Sequence, residues 1–132
     1  MTIKTFTGID KFPYQSTLLD LADQSDHSIR VSAILVQGGK MISRACNSRK
    51  THPVIEKYRK YRKDKNGNAL KYVGSHAEFR CIHGIDRETL KKSVLYVVRI
   101  RRDKSIAPSL PCMMCHRILS FYGLREVRCV VI

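Results

Sequence analysis

The pattern that most constrains the fold lies in the C-terminal third of the chain. Residues 93–101 alternate and are rich in β-branched side chains, which predicts a strand. Residues 111–122 begin with a proline and stop at Gly123, which predicts a helix, and residues 126–132 predict another strand. A strand, a helix and a strand in this order form a βαβ unit. The pattern therefore predicts a parallel pair of strands with a helix packed over it.

The rest of the chain divides into four predicted elements and one long irregular segment. The elements are an amphipathic helix, two strands joined by the turn-forming pair Gly38-Gly39, and a second helix, at residues 13–24, 30–37, 40–46 and 76–85. The predicted order is therefore α-β-β-α-β-α-β. Residues 47–74 show no clean periodicity and predict a long loop with a short helix near residues 54–63.

Length and composition indicate one globular domain covering residues 1–132. Apolar residues make up 43% of the chain and charged residues 27%, which are globular values. No apolar segment approaches the roughly 20 residues that a membrane span needs. Residues 1–12 lack a basic segment followed by an apolar one, so we expect no secretory signal, no membrane partner and a cytoplasmic location.

The charge is strongly positive. Lysine and arginine number 25 against 11 acidic residues, a net charge of +14, which indicates an anionic partner. Residues 49–71 carry nine basic and two acidic side chains, half of that excess, with Tyr58 and Tyr61 between them. Such a mixture can follow a phosphate backbone and stack bases, so single-stranded nucleic acid is a possible partner. The alternative is a solvated loop without a partner.

Two short segments carry residues suited to metal chemistry. Residues 76–78 (His-Ala-Glu) begin one predicted helix, and residues 111–115 (Pro-Cys-Met-Met-Cys) begin another. Cys112 and Cys115 share a helical face, and the helix dipole favours their thiolates. With His76 as a third ligand, a tetrahedral zinc ion keeps one open position for water. Glu78 would then lie near enough to transfer protons without binding the metal.

Each of these residues also has a simpler interpretation. Ser75 and Glu78 have the spacing of a helix capping box, which needs no catalysis. The cysteine pair could hold a structural zinc ion with Cys81 or His116 as the fourth ligand, or it could be a redox pair. The chain has five cysteines, an odd number, and the absence of a signal peptide favours metal ligands or buried thiols over disulfides.

His-x-Glu followed by Pro-Cys-x-x-Cys is the signature of zinc nucleobase deaminases. The chain resembles the cytidine and deoxycytidylate deaminase superfamily from its first predicted helix to its last strand. The resemblance implies a three-layer α/β/α sandwich with a mixed central sheet of four to five strands. It also implies Zn²⁺ bound by His76, Cys112 and Cys115, with Glu78 as the proton shuttle. The family sheet usually has five strands, whereas this chain ends after its predicted fourth.

The resemblance also implies substrate contacts. They are the Asn47 side chain, the Ala77 backbone N–H and the backbone at Ser109, and we expect Lys50 or an arginine of the basic loop to hold a phosphate. Relatives with this short order of elements commonly act on small pyrimidine substrates, which favours a free pyrimidine nucleotide or nucleoside as substrate, with dCMP first. The charge favours an alternative, cytosine or adenine in single-stranded DNA, RNA or tRNA. A non-catalytic nucleic-acid-binding module is a third possibility. The sequence does not fix the oligomeric state, but relatives are often dimers or larger, so a homo-oligomer is a possible assembly.

Overall fold

A mixed β-sheet forms the centre of the protein. The computed structural model describes residues 1–61, 63, 65–68 and 76–131. Its strands are β1 (Thr2–Thr7), β2 (Arg30–Gln37), β3 (Lys40–Cys46), β4 (Val94–Ile100), β5 (Ile106–Ala107) and β6 (Glu126–Val131). Their order is β1-β6-β4-β2-β3, with β5 paired to β4. β6 is parallel to both β1 and β4, and β2 is antiparallel to β3 and β4. The predicted parallel pair is therefore confirmed as β4 and β6.

Helices cover both faces of this sheet. They are α1 (Gln15–Asp23), α2 (Pro53–Tyr58), α3 (Ala77–Ile82), α4 (Arg87–Leu90) and α5 (Met113–Phe121). Leu18 of α1 packs on one face, in a cluster that includes Val98. Phe79 of α3 and Ile118 of α5 pack on the other face, in a cluster that includes Val97. The predicted α/β/α sandwich is confirmed. No helix in the described part of the chain is long and apolar enough to cross a membrane.

The prediction of four strands ending at the C-terminus was wrong. β1 provides a further strand at the edge of the sheet, in register from Thr2 opposite Glu126 to Thr7 opposite Val131. The main path of the described sheet therefore has five strands, within the expected four to five, and the two-residue β5 adds a sixth beside β4. The apolar residues Ile3 and Phe6 of β1 are three positions apart, so the segment lacks the period-two pattern of a strand. Its pairing with β6 is what makes it a strand.

The predicted long loop at residues 48–75 is partly helical. The short helix expected near residues 54–63 is present as α2, followed by a 3₁₀ turn at Arg59–Tyr61. Ile55 anchors α2 because its side chain is fully buried. The short helix α4 was not predicted. Residues 62, 64, 69–75 and 132 lie outside the described residues, and with them part of the basic segment and Ser75 of the possible capping box.

The pairing of β1 predicts a different effect of proline at two adjacent positions. The N–H of Thr2 donates to the carbonyl of Arg125 (3.0 Å), and the N–H of Gly8 donates to that of Val131 (3.2 Å). By alternation, the N–H of Lys4 faces β6 and that of Thr5 faces outward. We expect Lys4→Pro to lower the free energy of unfolding by about 1–3 kcal/mol, because it removes an interstrand hydrogen bond.

Thr5→Pro is the matched control, since proline is tolerated where an edge-strand N–H faces solvent. Lys4→Ala corrects for the lysine side chain, whose ammonium lies 5.5 Å from the centre of the Phe6 ring. Urea denaturation measures all three variants. Equal losses for the two proline variants would contradict the register of β1.

Candidate active site

Two helices begin beside each other on one face of the sheet. His76 precedes α3 as its N-cap, with extended backbone angles (φ −72°, ψ 150°). Cys112 precedes α5 in the same way (φ −69°, ψ 168°). Because α3 and α5 contact each other, the first turns of the two helices present their side chains to a common space.

Three potential metal ligands meet in that space. The Nδ1 atom of His76 lies 3.2 Å from the sulfur of Cys115 and 3.7 Å from that of Cys112. All three ligand atoms lie within 4.8 Å of one another. Nitrogen and sulfur ligands of a tetrahedral zinc ion are separated by roughly 3.6 Å. The residue types and their spacing therefore fit zinc.

The described residues supply no fourth ligand to this group. Neither Cys81 nor His116, the candidates for a closed structural site, belongs to the cluster. Cys81 is buried and engaged elsewhere, with its sulfur 3.2 Å from the Ser43 hydroxyl and 3.6 Å from the carbonyl of Ala33. Within residues 1–61, 63, 65–68 and 76–131, the cluster therefore offers three ligands, and three protein ligands leave one position of a tetrahedral zinc ion open.

The two metal-facing cysteines differ in acidity. The Cys115 thiol and the neighbouring His76 stabilise the Cys112 thiolate and lower its pKa to about 3. The N–H of Cys115 also lies 3.4 Å from the Cys112 sulfur, capping α5. The Cys112 sulfur and burial together raise the pKa of Cys115 well above its usual value. Zinc binding would release that proton, since both sulfurs bind metal as thiolates.

Glu78 lies in the first turn of α3, two residues after His76, and is almost fully buried, with 6% exposed surface. Burial raises the pKa of its carboxyl group, while nearby His76 lowers it. Glu78 and two of the metal ligands, His76 and Cys112, line one cleft of about 140 Å³. A buried carboxyl group with a raised pKa beside a metal cluster has the character of a general acid and base.

The predicted substrate residues Asn47 and Ser109 line this cleft, and both side chains bond to the protein itself. Asn47 Oδ1 accepts from the Ser25 hydroxyl (2.6 Å) and from the N–H of Val31 (3.0 Å), and its Nδ2 donates to the carbonyl of Ile29 (2.6 Å). The Ser109 hydroxyl donates to the Val97 carbonyl (2.8 Å) and accepts from the N–H of Val130 (2.9 Å). Both side chains thus shape the cleft walls.

The other two predicted contacts differ in position. Ala77 is fully buried, lines the cleft and occupies the first turn of α3, where backbone N–H groups lack intrahelical partners. Lys50 is exposed and is not among the residues that line the cleft.

Sequence reasoning missed two side chains of the cleft, His27 and Arg99. His27 lies in the α1–β2 connection, where no periodic pattern marks it. Burial lowers the pKa of its imidazole, and nearby His76 and Arg49 add to this effect. Arg99 is a charged residue among the apolar residues of the strand predicted at residues 93–101. This isolated charge was the sequence signal that could have identified it.

The comparison with known families agrees with this geometry. The family model of the cytidine and deoxycytidylate deaminase zinc-binding region matches residues 11–131. The chain therefore belongs to the cytidine and deoxycytidylate deaminase family. Among curated proteins and solved structures, none is significantly similar to this chain. The family and the cluster of His76, Cys112 and Cys115 together support zinc as the cofactor and deamination as the general chemistry.

The metal cluster predicts a zinc content that depends on particular cysteines. We expect purified protein to carry about one zinc ion per chain, because three ligands and one open position hold one ion. Cys112→Ser removes a thiolate ligand and should lower the zinc content to near zero. Cys81→Ser is the control and should keep the zinc. Metal analysis by mass spectrometry measures both, and zinc loss in the Cys81 variant would support a closed structural site instead.

The hydrogen bonds of Asn47 predict a large structural effect of its removal. Asn47→Ala leaves the part-buried N–H of Val31 and the Ile29 carbonyl without their side-chain partner and removes an acceptor of the buried Ser25 hydroxyl, so we expect the free energy of unfolding to fall by about 1–3 kcal/mol. Ser48→Ala, at the neighbouring and half-buried cleft position, should change it by less than about 0.5 kcal/mol. Urea denaturation measures the stability of both variants. An unchanged free energy of unfolding in Asn47→Ala would show that the hydrogen bonds of Asn47 are not needed for stability.

Proposed function

We propose that the protein hydrolytically deaminates a cytosine base to uracil in a free pyrimidine nucleotide or nucleoside, with dCMP as the leading candidate. The observation that carries this proposal is the buried Glu78 in the same cleft as the three-ligand cluster. A structural zinc site has no need for a buried acid beside an open coordination position. The same observation argues against a non-catalytic module.

The roles of the residues follow from their positions. His76, Cys112 and Cys115 would hold zinc, which acts as a Lewis acid that makes water nucleophilic at neutral pH. Glu78 accepts a proton from the attacking water and delivers it to the ring nitrogen. It then accepts the proton of the new hydroxyl group on the attacked carbon and delivers it to the departing amine. Water and the amino compound thus become the carbonyl product and ammonia. The walls around Ala77 and Ser109 orient the base.

The cleft, at about 140 Å³, suits a single base, which a free nucleotide and a strand with an extruded base can both supply. The packing of two tyrosines favours a small substrate over a polymer. Tyr58 and Tyr61, expected to stack bases, are half-buried and pack against the core cluster beneath α2 and α5. Their inward packing serves stability and removes the clearest stacking platform of the basic segment.

A second candidate is a base in single-stranded DNA or RNA. The net charge of +14 supports it, and so does the basic surface beside Tyr61, where Lys60 and Arg117 lie 5.3 and 5.2 Å from the ring centre. Such a surface can bind phosphates without a stacking contribution from the tyrosine rings. Adenine instead of cytosine belongs to this candidate as well.

The experiment is a deamination assay on zinc-loaded protein. The substrates are cytidine, deoxycytidine, CMP, dCMP, a single-stranded oligonucleotide containing cytosine, and a tRNA stem-loop containing adenine. We expect turnover of a free nucleotide. Glu78→Gln should keep the zinc and lose at least about 100-fold in kcat, because it removes the group that transfers protons.

Glu88→Gln is the matched control. Glu88 is an exposed acid of α4, paired with Lys91 at 3.4 Å, and it lies outside the cleft. Its variant should retain wild-type turnover. Turnover of the polymers alone would favour the second candidate. Normal turnover by Glu78→Gln would contradict the mechanism, and a zinc-loaded protein without turnover of any substrate would contradict the proposed function.

A further inference from the structure

An arginine occupies a position that the packing of β4 assigns to the core. Successive β4 side chains alternate between the two faces of the sheet. Leu95 and Val97 belong to the core cluster beneath α3 and α5, and Val98 belongs to the cluster beneath α1. Arg99 continues the row of Leu95 and Val97, so its side chain lies on the face that carries the metal cluster.

Arg99 is held in this position by strands on both sides. It pairs with Val31 of β2 and with Ala107 of β5, one on each side of β4. Its side chain is half-buried and lines the cleft that contains His76 and Glu78. The guanidinium group is therefore carried by a fixed backbone, which is the condition for a precise ligand contact.

The Arg99 guanidinium has no partner within the described parts of the chain. Neither a hydrogen bond nor an ion pair connects it to residues 1–61, 63, 65–68 or 76–131. Other arginines are engaged: Arg30 bonds to Asp23 at 3.0 Å, and Arg80 donates to the Cys46 carbonyl at 2.6 Å. Since a partly buried charge without a partner is costly, its retention in a cleft indicates an anionic ligand.

A second donor lines the same cleft. The Nδ1 atom of His27 accepts a hydrogen bond from the N–H of Ile29 (3.1 Å), so the neutral ring carries its proton on Nε2. No described residue accepts that proton. His27 comes from the α1–β2 connection and Arg99 from β4, so the cleft offers donors from two separate elements.

We infer that Arg99, supported by His27, binds the phosphate group of the substrate. This inference rests on the proposed deaminase function and narrows it from nucleosides to phosphorylated substrates. A guanidinium group presents a planar fork of donors that binds two phosphate oxygens at once. The phosphate belongs either to a free nucleoside monophosphate or to the backbone of a single strand. Exposed Lys50, outside the cleft, is not required for this contact.

The test compares substrates that differ only in the phosphate. For wild type and variants, kcat/KM is measured with dCMP and deoxycytidine, and with CMP and cytidine. We expect Arg99→Gln to lower the nucleotide-to-nucleoside ratio of kcat/KM by about 10- to 100-fold, the usual effect of losing a charge-assisted hydrogen-bonded contact. Arg99→Lys should give an intermediate loss, because it keeps the charge but loses the fork.

Arg102→Gln is the matched control, since Arg102 is exposed in the turn after β4 and does not line the cleft. It should leave the ratio unchanged. Thermal unfolding confirms that each variant is folded, and Arg99→Lys carries the test if the glutamine variant does not fold. An unchanged ratio in the Arg99 variants, or an equal loss for nucleotide and nucleoside, would overturn the inference.

A second arm separates the two sources of phosphate. The oligonucleotide substrate is offered with a phosphodiester or an uncharged methylphosphonate linkage next to the target cytosine. If the backbone phosphate is the ligand, wild type discriminates between the two linkages and Arg99→Gln does not. If the protein acts on free nucleotides only, neither oligonucleotide is deaminated, and Arg99→Gln lowers only the preference for dCMP and CMP over their nucleosides. Either result supports the phosphate contact.

Binding measurements keep this inference separate from the proposed function. Calorimetric titration of Glu78→Gln with dCMP and with deoxycytidine reports the phosphate preference without turnover. If the double variant Glu78→Gln with Arg99→Gln loses that preference, the result supports the contact between Arg99 and phosphate, even if wild-type protein deaminates nothing. Turnover by wild type without any phosphate preference, in kcat/KM or in binding, overturns the contact and leaves the deaminase proposal intact.

Discussion

The geometry of the site depends on the parallel pairing of β4 with β6. A parallel pair requires a crossover, and here that crossover contains α5. Just before α5, the Ser109 hydroxyl joins the Val97 carbonyl of β4 to the Val130 N–H of β6. This bridge fixes the chain three residues ahead of Cys112, so the start of α5 is positioned by the sheet itself. α3 packs beside α5 and brings His76 to the sulfurs.

Apolar packing surrounds the start of α3, where Ala77 and Phe79 are buried in the core cluster. Glu78 lies between them in sequence, and with 6% exposed surface it has little access to solvent. That environment disfavours the carboxylate and raises its pKa, while the adjacent His76 acts in the opposite direction. Packing and charge thus act in opposite directions on the proton affinity of Glu78.

The sequence predicted those parts of the structure that depend on local spacing. Cys112 and Cys115 are three residues apart at a helix start, and that spacing alone places both sulfurs on one side. β1 was missed because Ile3 and Phe6 do not alternate and become partly buried only through tertiary contacts. Arg99 was missed for a related reason. The alternation expected over residues 93–101 does not hold, because residues 94–100 are apolar except for Arg99, so the face on which each side chain lies depends on the partners of the strand.

The positive charges of this protein fall into two groups, the exposed lysines and arginines of the surface and the half-buried Arg99 of the cleft. Exposed lysines and arginines attract any polyanion, but salt screens them beyond roughly 8–10 Å, so they raise encounter rates without selecting a substrate. Arg99 is half-buried, fixed between two strands and close to the reacting group, so its field is screened less. A contact of that kind discriminates between a phosphorylated and an unphosphorylated ligand. If Arg99 binds the phosphate as we infer, the net charge of +14 and Arg99 would make separable contributions, the first to association and the second to specificity.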